Sequence, residues 1–68
     1  MDHLADYFAT NFPSIKVFPK GEAMKMILPS KEHILDILVT LGTIIREWDE
    51  DIQIQVYPNE KEIWIQEI

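Results

Sequence analysis

The chain has 68 residues, 47% of them hydrophobic, with two glycines, four prolines, no cysteine and a formal net charge of −6. That length allows one thin core and no second domain, and the apolar content excludes a disordered tail. The missing cysteines exclude disulfides, thiolate metal sites and a thiol nucleophile, and the acidity disfavours duplex DNA, RNA backbone and anionic lipid, which are bound by releasing counterions with lysine and arginine.

The segment Met1 to Phe12 has acids where an export signal would be basic, and no apolar stretch follows, so a cytoplasmic location is expected. The same segment predicts a first helix: Asp2 can cap free N–H groups, Leu4, Phe8 and Phe12 recur at i, i+4 and i+8, and Pro13 stops the run. Ile15 and Val17 then alternate with Lys16 and Phe18. The tetrapeptide Phe18-Pro19-Lys20-Gly21 predicts a turn with proline second and glycine fourth, and the returning strand places Met24, Met26 and Leu28 on one face and Ala23, Lys25 and Ile27 on the other.

After Pro29, Ser30 is the expected N-cap of a second helix reaching about Trp48. Its broad apolar face comprises Ile34, Ile37, Leu38, Leu41, Ile44, Ile45 and Trp48. The stretch from Ile34 to Ile45 is broken by Asp36 and is far short of the ~20 residues that span a bilayer, so no membrane contact is expected. Leu35, Val39 and Gly42 fall on a flank of this helix, where the first helix is expected to pack. A second hairpin follows: Ile52, Ile54 and Val56 alternate with Gln53, Gln55 and Tyr57, a turn at Pro58-Asn59-Glu60-Lys61 reverses the chain, and Ile63 and Ile65 alternate with Glu62, Trp64 and Gln66.

The predicted fold is α+β, a two-layer αββ-αββ sandwich with a four-stranded antiparallel sheet and both helices on one face. It forms a single domain over 1–68, with halves at roughly 1–29 and 30–68. The arrangement looks like a circularly permuted ferredoxin-like topology, with residues 23–28 and 62–67 central and Pro19 and Pro58 at the ends of edge strands. The halves also read as copies of one another. Residues 2–10 align with 32–40 (acid, His, aliphatic, apolar, Asp, three apolars, Thr), 15–19 align with 54–58, and Met24 and Met26 fall on Ile63 and Ile65.

The best catalytic candidates are His3 with Asp6 and His33 with Asp36, each pair three residues apart and so neighbours on a helix. No nucleophile accompanies them, and polar residues in a first helical turn ordinarily face solvent. No catalytic residue, metal, cofactor or small-molecule substrate is therefore assigned, and the expectation is that the protein is not an enzyme. Glu47, Asp49, Glu50 and Asp51 crowd the end of the second helix, where the helix dipole is already negative. They read as a solvated acidic patch or a docking patch for a basic partner, and they lack the ligand spacing and glycine of a calcium loop.

The most informative feature is the sheet face turned away from the helices. Alternation assigns to it Phe18, Lys25, Gln55, Tyr57, Trp64 and Gln66, with Lys16, Ile27 and Gln53, and nothing in so short a chain is left to cover it. Three rings among lysine and glutamine suit a protein interface. The reading is a non-catalytic module that regulates or inhibits a protein partner and acts as a homodimer through this aromatic face. The alternatives are a single-stranded nucleic-acid module, disfavoured because residues 29–68 carry −6 against +2 over residues 14–28, and an acidic phage-type mimic of nucleic acid.

Overall fold

A computed structural model describes residues 2–68. Its elements run α1 (Asp2–Asn11), β1 (Lys16–Lys20), β2 (Ala23–Ile27), α2 (His33–Trp48), β3 (Ile52–Tyr57), a one-turn 3₁₀ helix (Pro58–Glu60) and β4 (Glu62–Glu67). The four strands form one antiparallel sheet in the order β1-β2-β4-β3. Since β2 and β3 both run antiparallel to β4, they are parallel to each other, and α2 is the crossover that carries the chain over β4.

Side-chain parity decides what the sheet buries. Met24, Met26, Ile63 and Ile65 of the two central strands point to one face and are almost wholly enclosed, together with Leu4 and Phe8 of α1 and Ile37, Leu41 and Ile44 of α2. Both helices therefore cover that single face. Val17 on β1 and Ile54 and Val56 on β3, the two edge strands, are only half-buried. No polar or charged side chain is buried among the described residues, so the core draws its stability from apolar burial alone.

Local geometry departs from the sequence expectation at two boundaries. Ser30 does not cap α2: its hydroxyl bonds the His33 Nδ1 at 2.8 Å, the backbone winds through bonds from His33 N–H to Ser30 O and from Ile34 N–H to Lys31 O, and the helix proper begins at His33. In the first hairpin the strand continues through Pro19, which an edge strand tolerates. Gly21 and Glu22 alone make the turn between Lys20 and Ala23. Gly21 has φ +60° and Glu22 is not in the left-handed region, the pattern of a type II′ turn, whose twist suits a two-residue hairpin. The second hairpin uses Pro58 to Lys61, closed by a bond from Lys61 N–H to Pro58 O at 3.1 Å.

Candidate interaction surface

The strand register sets the outer face as three rows of four. Lys16, Ile27, Glu62 and Tyr57 form the first row. Phe18, Lys25, Trp64 and Gln55 form the second, and Lys20, Ala23, Gln66 and Gln53 the third. All six residues singled out from the sequence, Phe18, Lys25, Gln55, Tyr57, Trp64 and Gln66, stand on this one face. Ala23 and Glu62 join them by the same alternation, and the register adds Lys20, which the expected turn had taken out of the strand.

The three rings remain open to solvent, with Phe18 48%, Tyr57 41% and Trp64 41% exposed. Their positions are held from the side. The Lys25 ammonium lies 5.3 Å from the Phe18 ring centre and 5.6 Å from that of Trp64, so one cation bridges two rings along the middle row. The Trp64 indole N–H donates to Glu62 at 3.0 Å, and the Tyr57 hydroxyl donates to Gln55 at 3.0 Å. Tyr57 meets Trp64 edge-on at 6.4 Å. Each of these contacts ties a solvent-exposed ring to a neighbour on the same face. Beside Trp64 the small Ala23 leaves a depression of about 360 Å³ walled by Phe18 and Lys25.

Charge is divided between the two layers. The outer face carries three lysines against Glu62, a net +2. In the helix layer, α1 together with residues 32–51 carries eight acids against Arg46, a net −7. Glu47 is on α2, Asp49 is its C-cap in the left-handed conformation, and Glu50 and Asp51 lead into β3. The acidic patch therefore belongs to the helix end and not to the aromatic face. Glu50 reaches back to His3 of α1, with Nε2 and Oε1 2.6 Å apart.

His3 thus pairs with Glu50 and His33 with Ser30, and the sequence-adjacent Asp6 and Asp36 are not their partners. Among the described residues no group of three or more histidine, cysteine or acidic side chains could hold a metal ion, and no helix is long and apolar enough to cross a membrane. Trp48, expected in the core stripe, is 38% exposed and packs on α1, edge-on to Tyr7 at 5.4 Å and tilted against His3 at 5.8 Å. Leu35 and Val39 are open at 69% and 64%, so α1 does not cover that flank of α2 as expected. In comparisons with known proteins, the chain matches no family model, no curated protein and no solved structure.

Proposed function

We propose that this protein is a non-catalytic interaction module that dimerises through the outer face of its sheet and, as a dimer, regulates or inhibits a protein partner. The observation that carries the reading is the uncovered middle row Phe18-Lys25-Trp64-Gln55, an aromatic strip on a domain with little core to spare. The occupant is a second copy because the face is self-complementary. A two-fold axis parallel to the strands lays each row on its own reverse. Lys25 then meets Trp64 of the second copy, Phe18 meets Gln55, Lys16 meets Tyr57 and Lys20 meets Gln53, so no lysine faces a lysine. Ile27 faces Glu62, whose carboxylate is already held by Trp64. Aligned sheets cross at about 30°, which preserves the pairing best near the centre, where Lys25 and Trp64 stand.

Twelve outward side chains on four strands cover roughly 19 by 17 Å, about 320 Å² in projection, a footprint in the range of weak, transient complexes. The expected association is micromolar and concentration-dependent. The same middle row weighs against a stacking platform for single-stranded nucleic acid, because the Lys25 ammonium already lies over both rings a base would need.

The finer features of the fold belong to this reading. The order β1-β2-β4-β3 is the one obtained by moving the first strand of a ferredoxin-like βαββαβ unit to the end. Reciprocal pairing of Met24 with Ile65 and Met26 with Ile63 supports a duplicated unit, although turns of different length place Phe18 and Tyr57 in different rows.

Light scattering over a dilution series tests the proposal. A mass tending to twice that of the chain at high concentration, and falling to the single chain in Trp64→Ala with its circular dichroism unchanged, is the expected result. A wild-type chain that stays monomeric at millimolar concentration would refute it.

A further inference from the structure

On the layer opposite the aromatic face, α2 and Tyr7 of α1 line a groove of about 260 Å³. Tyr7, Ile44 and Trp48 make its apolar part, and Val39 extends it outward along the exposed flank of α2. Thr40 and Thr43 also line it, but their hydroxyls donate to the backbone oxygens of Asp36 and Val39 one turn earlier, at 3.0 and 3.3 Å, so both donors are committed to the helix itself. Glu47 stands in the groove wall. Asp36 lies three turns before it on the same helix, and Glu50 is tied to α1 through His3. The layer that frames the groove is the one with net charge −7.

We propose that this groove is the docking site for a basic amphipathic helical segment of the partner protein. From Val39 to Trp48 the groove follows α2 for about 13 Å, the length of roughly two turns. The segment it fits carries two apolar anchors three or four residues apart, seated against Trp48, Tyr7 and Val39, with lysine or arginine on its flanks for Glu47 and Asp36. Charge complementarity selects the class of occupant. A second copy of this chain would bring another strongly acidic layer or the small +2 face, and neither presents an apolar helix stripe flanked by several cations. The groove lies across the domain from the outer sheet face, so it is open in monomer and dimer alike.

The test is a titration of isotope-labelled protein with an amidated 14-residue Leu/Lys peptide of helical periodicity, followed by amide chemical shifts. A Ser/Lys peptide of the same charge controls for bare electrostatic attraction. The expected result is saturable binding of the Leu/Lys peptide in the micromolar range, with shifts centred on Tyr7 and residues 39–48. The Ser/Lys peptide should bind at least tenfold more weakly, and Glu47→Lys and Val39→Lys should each weaken the Leu/Lys peptide at least tenfold. Both substituted side chains are exposed, so the variants keep the fold. Equal binding of the two peptides, shifts centred on the outer sheet face, or undiminished affinity in both variants would overturn the proposal. Repeating the titration in Trp64→Ala separates this outcome from any failure of the dimer, since groove binding should be unchanged there.

Discussion

The two faces of the sheet are made by the same strands, yet they hold opposite kinds of residue. Met24, Met26, Ile63 and Ile65 are sealed under two helices, while Trp64, one residue away, is open to solvent and Lys25 beside it is half-buried. The difference follows from size. Two helices of 10 and 16 residues roof one face of the four-stranded sheet, and no other element among the described residues lies over the opposite face. Stability is confined to one parity of each strand, and the other parity is free to be chosen for contact. The free parity holds three aromatic residues, in contact with one cation and two side-chain hydrogen-bond acceptors.

The strongest way to break this comparison is to truncate one residue of each parity on β4. Ile63→Ala leaves a cavity at the centre of the core and should cost about 3 kcal/mol, a large share of the roughly 3–10 kcal/mol expected for a domain of this length. Urea denaturation should show a sharply lowered midpoint, with the chain unfolded in plain buffer where its starting stability is about 3 kcal/mol. Trp64→Ala should cost the monomer only about 1 kcal/mol, from lost cross-strand and cation–π contacts, while weakening association at least tenfold. If Trp64→Ala unfolds the chain as Ile63→Ala does, the outer face is a structural element and its rings need no partner.

A smaller effect sharpens what the outer face recognises. Lys25 bridges Phe18 and Trp64 within one chain, and in the two-fold arrangement it also meets Trp64 of the second copy. Lys25→Met keeps length and apolar bulk but removes the cation, and should weaken the proposed dimer about fivefold, for two symmetry-related cation–π contacts of about 0.5 kcal/mol each. Lys25→Arg should preserve it. Sedimentation equilibrium distinguishes the cases, and an unchanged dimer in Lys25→Met would mean that the rings associate without the lysine.

The alternation of Ile52, Ile54 and Val56 with Gln53, Gln55 and Tyr57 was legible because a period of two has one structural reading. The register has Gln53, Gln55 and Tyr57 on one side of β3, as the alternation has them. The helix face of Ile37, Leu41 and Ile44 was legible for the same kind of reason. Trp48 was misplaced because helical periodicity gives a direction around the axis and not the distance to the end of the roof. At the last turn of α2 the sheet no longer lies beneath, and the indole packs on Tyr7 and His3 instead. The groove beside it was illegible, since it depends on the angle between α1 and α2, which no local pattern encodes. Ser30 looked like a cap by residue type, but its hydroxyl had a nearer acceptor or donor in the His33 ring. The Gly21 turn moved because Pro19 suits a turn and an edge strand equally, and the two-residue hairpin won on twist.

The smallest predicted effects come from two residues in the left-handed region, Asp49 at φ 54° and Lys61 at φ 56°, one at the acidic end of α2 and the other in the β3–β4 turn. Glycine at either position removes a backbone penalty of about 1 kcal/mol, partly offset by the freedom it adds to the unfolded chain. A net gain of roughly 0.5 kcal/mol is expected at Lys61. Aspartate tolerates this conformation better than lysine, so the backbone gain at Asp49 should be smaller. Asp49→Gly also removes an anion from the negative end of the helix dipole, worth about 0.3–1 kcal/mol at low ionic strength. The two variants should therefore gain similar stability in dilute buffer, and in 1 M salt, where the Debye length falls to about 3 Å, Asp49→Gly should lose most of its gain while Lys61→Gly keeps its own. Urea midpoints at the two salt concentrations measure this directly. A salt-independent gain at Asp49 would show that the acidic helix end is no burden to the fold, and would remove the suspicion that its charge is tolerated for the sake of a partner.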